Sequence, residues 1–169
     1  GGAGTITKDN MSPDLENEYR KALSSSLNAG FEVLKDGGSS LEAISASIKI
    51  LEDSPLFNAG KGAVLTNTGF AELDASVMLG ADLSAGAVAG VRRIKNPIDA
   101  AIEVMQSSPH VMLSGSGAEK FAKTRNLTMV SPKYFLTKTR NDQLRQAREK
   151  ERITGSLFPS EISSDSKFG

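Results

Sequence analysis

Two carboxylates, Glu72 and Asp74, are separated by one residue in a stretch with the alternation of a β-strand. Side chains at positions i and i+2 of a strand point to the same side, so this pair could act as acid and base or bind a metal ion. Such a pair is more often solvated, or supports a loop through hydrogen bonds. We favour this structural interpretation of Glu72 and Asp74.

No nucleophile and base are paired in this sequence. His110 is the single histidine, it follows Pro109 at the end of a predicted helix, and the chain has no cysteine. We interpret His110 as a capping or surface residue. The composition therefore argues against a Ser-His-Asp or Cys-His site within this chain.

The segment Leu51–Val64 lies between a helix pattern and a strand pattern and has the period of neither. It contains Pro55, two glycines and the run Phe57-Asn58-Ala59-Gly60-Lys61-Gly62. This composition predicts a loop whose backbone is held in one conformation. Asn58 is its most distinctive polar group, and the simpler alternative is that it caps a turn.

Two glycine-rich stretches resemble anion-binding loops. In Gly1-Gly2-Ala3-Gly4 the backbone N–H groups could approach a phosphate closely, since glycine has no side chain. The full G-x-G-x-x-G pattern is absent, and Thr5-Ile6-Thr7 does not begin a helix. Gly115-Ser116-Gly117 has the same weakness, so the dinucleotide interpretation is weak for both.

The helices that would position these groups follow from apolar spacing. Apolar residues recur at three- and four-residue steps from Pro13 to Lys35, which predicts a helix ended by Gly37-Gly38. Ser39 and Glu42 have the spacing of a capping box, which predicts that a second helix begins there and packs on the first.

After the loop the period becomes that of strands. Residues 63–65 and 70–79 are predicted to form a hairpin, and residues 84–94 a third strand. Asn96 is predicted to cap a helix that begins at Pro97 and ends near Ser107. A short strand at 111–113, a helix opened by residues 115–117, a connector at 132–136 and a solvated charged helix face at 141–152 follow.

Composition limits the classes of protein. The chain has 169 residues, 38% of them hydrophobic, which is enough for one domain with a core. Twenty basic residues balance twenty acidic ones, so no global charge attracts nucleic acid or an anionic membrane. No signal peptide or long apolar run is present, and we expect a soluble, cytoplasmic protein without nucleic-acid or membrane partners.

Six motifs in a fixed order resemble one family. They are Gly1-Gly2-Ala3-Gly4, residues 55–64 (PLFNAGKGAV), residues 72–78 (ELDASVM), residues 85–88 (AGAV), residues 95–98 (KNPI) and Ser108-Pro109-His110. Each motif is weak alone, but the ordered set is specific and covers roughly residues 1–136. The chain resembles the plant-type L-asparaginases and isoaspartyl peptidases, which are N-terminal-nucleophile hydrolases.

The resemblance implies that this chain is the α subunit of a precursor that cleaves itself between a glycine and a threonine. Gly169 would supply the carbonyl side of that bond, and the threonine would begin a β subunit and act as nucleophile. The implied fold is α+β, a four-layer αββα sandwich completed by the β subunit, with αβ pairs forming a dimer. Residues 1–152 would form the α-subunit half and residues 153–169 a flexible tail.

The resemblance also assigns roles to the loop. Asn58 would position the β-subunit threonine, and no substrate-binding residue is expected in this chain beyond the vicinity of Gly1 and Gly2. Main-chain carbonyls would hold a structural Na⁺ ion, which suits the preference of hard cations for oxygen ligands. Those carbonyls belong to Leu51, Glu52, Ser54, Phe57, Ala59 and Lys61.

The implied function is hydrolysis of β-aspartyl dipeptides and L-asparagine, small-molecule substrates, to release L-aspartate. The resemblance implies no organic cofactor. Two alternatives remain open at the level of the sequence. One is a non-catalytic homologue that acts only as a partner, and the other is a small-anion-binding module that uses Gly1–Gly4.

Overall fold

A computed structural model of the chain describes residues 11–157. Ten elements follow one another there. The helices are α1 Pro13–Lys35, α2 Ser40–Asp53, α3 Pro97–Ser107, α4 Gly115–Thr124 and α5 Lys138–Leu157. The strands are β1 Leu73–Met78, β2 Ala85–Val91 and β3 Met112–Ser114, and two short 3₁₀ turns cover Gly60–Gly62 and Pro132–Phe135.

The first two helices form an antiparallel pair with the predicted bounds and caps. The Ser12 side chain accepts a hydrogen bond from Leu15 N, and Ser39 and Glu42 form the predicted capping box. At their crossing, a Cβ on Gly30 would lie 2.3 Å from Ser47 Oγ. The absence of a side chain at Gly30 therefore lets the two helices approach closely.

The three strands form one sheet in the order β1-β2-β3, with β1 and β2 antiparallel and β2 and β3 parallel. Helices α3 and α4 pack on the sheet. The core consists of buried residues from these elements and their connections: Ala63, Ala71, Leu73, Val88, Val91, Ile94, Ala100, Val104, Ala118, Ala122 and Phe135. In β1 the buried side alternates with exposed Asp74, Ser76 and Met78.

The predicted hairpin between residues 63–65 and 70–79 is present only in a minimal form. Only one bridge, Leu65 to Ala71, connects these stretches, and β1 pairs with β2 instead. The turn closes tightly, because Thr66 N donates to Phe70 O at 2.8 Å. Val64 N donates to a side chain at 2.9 Å rather than to a strand. The backbone before the turn therefore has no ladder to extend.

The structure adds detail to two further predictions. Asn96 lies at the N-cap position of α3, but its side chain makes no capping hydrogen bond and donates to Asp53 Oδ1 at 3.2 Å. The connector at 132–136 is a 3₁₀ turn that places Phe135 in the core with no exposed surface. Burial of one large aromatic ring accounts for this packing of an otherwise polar segment.

Helix α5 extends beyond the predicted charged face on both sides, and the boundary predicted between residues 152 and 153 falls inside it. The remainder of the predicted tail, with Gly169, lies outside the described residues, as do Gly1 and Gly2. No helix among residues 11–157 is long and apolar enough to cross a membrane.

Candidate active site

The loop after α2 folds back on the end of that helix. Gly60 has φ +48°, and a Cβ there would lie 2.2 Å from Glu52 O. A Cβ on Gly62 would lie 2.1 Å from Phe57 O and 2.7 Å from Pro55 O. These distances are far shorter than a van der Waals contact. Because backbone carbonyls approach Gly60 and Gly62 so closely, neither position has room for a side chain.

Contacts from outside the loop hold it in place. The Tyr19 hydroxyl of α1 donates to Leu56 O at 2.8 Å, and its ring meets the Phe57 ring edge-on with centroids 5.5 Å apart. On the other side, Arg140 Nε of α5 donates to Gly62 O at 2.6 Å. Two helices distant in sequence therefore contact the loop, which agrees with the predicted restraint of its backbone.

Asn58 is exposed at the surface of this loop. Its Oδ1 accepts a hydrogen bond from Val64 N at 2.9 Å, which identifies the oxygen of the amide. Among residues 11–157 its amide nitrogen donates to no group, so it remains available to a group outside the described chain. Asn58 therefore closes the turn through its Oδ1 and presents its amide nitrogen as a free donor. The turn-cap alternative accounts for the oxygen but not for the exposed nitrogen.

A cavity of 310 Å³ joins Asn58 to the carboxylate pair predicted from the sequence. Glu52, Ala63, Glu72 and Asp74 are among the residues that line it with Asn58. Glu72 forms an ion pair with Arg92, whose Nε lies 3.1 Å from Glu72 Oε1. Among the described residues, those lining the cavity combine one amide with acidic groups and include no paired nucleophile.

Asp74 supports the backbone of the neighbouring strand. Its Oδ1 accepts from Gly90 N at 2.7 Å, close to where the register between β1 and β2 shifts. Gly90 has φ +62°, a conformation that favours glycine. Both carboxylates thus serve as structural acceptors, which agrees with the interpretation favoured for them.

The side chain of Glu52 is a site residue that the sequence reasoning missed. It is 4% exposed, and its Oε1 accepts from Ile98 N at 3.1 Å, near the start of α3. Its Oε2 is the one buried side-chain polar atom of the described residues without a hydrogen-bond partner. The spacing offered little signal, because Glu52 follows the half-buried Ile48 by four residues, while Ile44, four residues earlier, is exposed.

Burial raises the pKa of Glu52 to about 7. The hydrogen bonds from Ile98 N–H and Asn96 oppose this rise, whereas the charges of Asp99 and Asp53 add to it. The carboxyl group therefore titrates near neutral pH rather than near its usual 4.5.

Comparisons with known proteins decide the family. The profile of the asparaginase family matches residues 1–167. This chain belongs to the asparaginase family. It is 45% identical over 153 residues to a putative isoaspartyl peptidase/L-asparaginase of Dictyostelium discoideum, covering 90% of this chain and 44% of the relative.

Other relatives of this asparaginase-family chain agree. It is 48% identical over 149 residues to an isoaspartyl peptidase of Escherichia coli K12, covering 88% of the chain and 46% of the relative. It is 45% identical over 150 residues to a plant-type L-asparaginase of Pyrococcus abyssi, covering 89% and 47%. The predicted family is confirmed, and the chain spans about half the length of these curated relatives.

His110 and Gly115 of this asparaginase-family chain are not among the residues that line the cavity described above. His110 is exposed, and its backbone N–H donates to Ser108 Oγ at 3.0 Å, as expected of a surface residue. Gly115 begins α4 with φ +49°. Gly1, Gly2 and Gly169 lie outside the described residues, so their predicted roles stay predictions.

The main-chain cation site that the resemblance implies stays a prediction, and the geometry of the loop is compatible with it. Gly60 and Gly62 provide the space in which the carbonyls of Glu52 and Phe57 approach the glycine backbone. The Lys61 ammonium lies over the Tyr134 ring, 5.5 Å from its centroid, so its charge has a partner. Among residues 11–157 no three His, Cys, Asp or Glu side chains converge, so Glu72 and Asp74 belong to no such ligand cluster.

The raised pKa of Glu52 predicts a pH-dependent stability. Between pH 4.5 and about 7 the folded protein retains a proton that the unfolded chain has released. The stabilisation from neutral Glu52 is complete below this window and is lost as the pH rises through about 7. The expected loss is up to about 3 kcal/mol, at roughly 1.4 kcal/mol per pKa unit.

The measurement is urea unfolding of the protein expressed from its complete gene, across this pH window. Glu52→Gln should remove the slope, so the difference between wild type and variant isolates the titration of Glu52 from that of other carboxylates. Glu32→Gln, at an exposed ion pair of α1, is the control and should retain the wild-type profile. Equal slopes in wild type and Glu52→Gln would contradict the assignment.

Proposed function

We propose that the complete protein is an isoaspartyl peptidase with L-asparaginase activity, and that this chain is its α subunit. The observation that carries the proposal is the exposed Asn58 amide, whose Oδ1 accepts from Val64 N and which lines a cavity that has no paired nucleophile among residues 11–157. Such a site needs a reacting group from elsewhere. The relatives are named isoaspartyl peptidase or L-asparaginase and are about twice as long as this chain, which supports a second subunit as the source of that group.

The nucleophile in this proposal is a threonine that follows Gly169 and begins the β subunit. Its free α-amine, with an unperturbed pKa near 8, accepts the hydroxyl proton at neutral pH. The oxygen attacks the side-chain carbonyl of asparagine, or the isopeptide carbonyl of a β-aspartyl dipeptide. The C–N bond breaks, the amine leaves with the proton, and water hydrolyses the aspartyl ester to release L-aspartate.

Asn58 supplies orientation in this mechanism. Because its Oδ1 is engaged by Val64 N, the amide nitrogen can donate only in a direction set by the loop. A donor aimed at the threonine holds its hydroxyl toward the substrate carbonyl, which lowers the entropic part of the barrier. The same threonine hydroxyl would attack the Gly169 carbonyl when the precursor cleaves itself.

Uncovered surfaces of the described residues support completion by a β subunit. The face of the sheet that carries Ser76, Ala87 and Met112 lines an open groove, and Met112 is 55% exposed. A second sheet from the β subunit would cover this face and complete a four-layer αββα sandwich, because sheets bury one face against another layer.

A second apolar surface lies on the helix pair α1–α2. Leu27, Phe31 and Leu34 of α1 are 71, 57 and 54% exposed, and Ile44 of α2 is 45% exposed beside them. They line a groove with almost no polar surface. Exposed apolar area of this kind mostly marks a contact surface, and it supports the proposed pairing of αβ units into a dimer.

The direct test uses the complete gene. Mass spectrometry should find two fragments, with the second beginning at a threonine after Gly169. The processed protein should release ammonia from L-asparagine and leucine from β-aspartyl-leucine, and substitution of that threonine by alanine should abolish both. A stop codon or a non-nucleophilic residue after Gly169 would overturn the proposal, as would a processed protein inert toward both substrates.

The proposed Na⁺ ion is structural, and its removal should be visible in stability. Replacing Na⁺ and K⁺ by a bulky organic cation should lower the thermal midpoint and the turnover, and Na⁺ should restore both in a saturable manner. A ligand at a hundred times its Kd stabilises by about 2.7 kcal/mol. If adding more of the organic cation, to the same ionic strength, restored the thermal midpoint and the turnover as Na⁺ does, the effect would not be specific to Na⁺. An unchanged thermal midpoint and turnover after removal of Na⁺ and K⁺ would also count against the site.

A further inference from the structure

Helix α5 is largely the solvated charged face that its sequence predicts, but Arg140 departs from this pattern. Its basic residues alternate with Asp142, Glu149 and Glu151, and Arg145 and Arg152 form the expected ion pairs within the helix. Arg140 instead reaches the loop that carries Asn58, where its Nε lies 2.6 Å from Gly62 O. This contact joins residues 78 positions apart and is partly buried.

The carbonyl that Arg140 holds belongs to the turn that shapes the Asn58 loop. Gly62 ends the 3₁₀ turn, and its N–H donates to Ala59 O at 3.0 Å. Two residues later, Val64 N donates to Asn58 Oδ1. The orientation of the Gly62 peptide therefore determines where the Val64 N–H points, and through it the position of the Asn58 amide.

The hydrogen bond from Arg140 to Gly62 O is suited to fixing the orientation of the Gly62 carbonyl. A guanidinium is planar and always charged, and its hydrogen bond to a carbonyl is stronger than one between neutral groups. Arg140 is itself held, because its second donor group reaches Gln143 Oε1 at 2.8 Å. Its donor therefore approaches Gly62 from one side only, whereas a flexible lysine would impose less geometry.

A second contact of α5 keeps the helix against the same stretch of chain. Arg148 contacts the main-chain oxygen of Asn67, and its Nε lies 3.3 Å from Asn67 Oδ1. Leu144 lies beside Gly69 between these two arginines. Arg140 and Arg148 lie about 12 Å apart along the helix, at roughly 1.5 Å per residue. Helix α5 therefore contacts residues 62–69 at two separate places.

We propose that Arg140 is a positioning residue for the reaction, which holds the Gly62 carbonyl and thereby fixes the Asn58 amide toward the threonine nucleophile. The proposal rests on the proposed function, since it assigns Arg140 a role in that chemistry. Arg140 touches neither substrate nor nucleophile and acts only through the loop.

The test compares Arg140→Ala with Arg145→Ala in the processed protein from the complete gene. Arg145 lies on the same helix, its side chain is 80% exposed, and it pairs with Asp142, so it is a matched control. Arg140→Ala should lower kcat on the order of 10-fold with little change in KM, because misplacement of a catalytic group acts on the transition state. Arg140→Lys should restore part of the loss, and Arg145→Ala should match the wild type.

A double-mutant cycle with Asn58→Ala separates positioning from a general structural role. If Arg140 acts through Asn58, Arg140→Ala should cost little more in kcat once Asn58 is alanine. Losses that multiply would overturn the proposal, as would an unchanged kcat in Arg140→Ala alone. A fall in thermal midpoint that accounts for the whole loss of activity would also overturn it.

Hydrogen exchange distinguishes failure of this inference from failure of the proposed function. Exchange at the Val64 amide needs no catalysis, and it should be faster in Arg140→Ala than in wild type or Arg145→Ala. If the protein is inert but this difference is present, the function fails and the loop restraint holds. If the protein is active and exchange at Val64 does not change, the role of Arg140 is refuted.

Discussion

Asn58→Ala is expected to lower turnover on the order of 100-fold, the cost of removing a donor or misplacing a reacting group in other enzymes. The free amide nitrogen is the group lost, since Oδ1 is already engaged by Val64 N. Precursor cleavage should slow as well, because the same threonine hydroxyl performs it.

The fold should survive this substitution. Asn58 is exposed, and Val64 is 51% exposed, so water can replace the lost acceptor at the Val64 N–H. The expected change in the free energy of unfolding is about 1 kcal/mol, the net value of one hydrogen bond. A large loss of turnover with this small loss of stability distinguishes a functional amide from a mere turn cap.

The measurements are kcat and KM for both substrates and the fraction of precursor cleaved over time. Asn141→Ala is the control, since Asn141 is an exposed asparagine of α5 that donates only to Thr137 O at 2.9 Å. Its kinetics should equal those of the wild type. Wild-type rates and cleavage in Asn58→Ala would refute the role proposed for Asn58.

Gly60→Ala is expected to be the most destabilising single change in the loop. It combines two penalties, because Gly60 has φ +48° and the new Cβ would lie 2.2 Å from Glu52 O. The neighbour is backbone at the end of α2, so it cannot rotate away as a side chain would. We expect a loss of 3 kcal/mol or more, roughly the range of severe core disruption, and loss of turnover with it.

Substitutions at two other glycines distinguish the cost of backbone strain from the cost of the steric clash. Gly37 has φ +83°, and no atom of the described residues lies within 4 Å of its Cβ position, so Gly37→Ala carries strain alone and should cost on the order of 1 kcal/mol. Gly117 lies in α4 with open space around it, so Gly117→Ala should be neutral or stabilising. Urea unfolding ranks the three, and equal stability of Gly60→Ala and Gly37→Ala would contradict the predicted clash.

Local rules predicted the helices well because their signals lie within a few residues. Ser12 with Pro13 and Ser39 with Glu42 cap α1 and α2 through contacts three residues apart. The predicted hairpin is reduced to one bridge for the opposite reason. Strand pairing depends on segments that can be distant in the sequence. β1 forms more backbone pairs with β2 than the chain after the turn forms with the short segment before it.

The sequence by itself determined the family, the loop and the position of Asn58 within it. Ordered motifs identify a family without coordinates, and glycines at Gly60 and Gly62 reveal a backbone that no side chain could adopt. The metal carbonyls and the β-subunit threonine come from the resemblance and remain proposals. Pattern alone could place Asn58 in a loop but could not say which of its amide atoms is free.

Only the tertiary structure decided which distant groups serve this loop. Glu52 accepts from a helix 46 positions away, and Arg140 holds a carbonyl 78 positions away. A charged residue on a helix has the same sequence signature whether it faces water or another backbone. The difference lies in packing between elements, which places Arg140 against Gly62 and leaves Arg145, one turn further, in solvent.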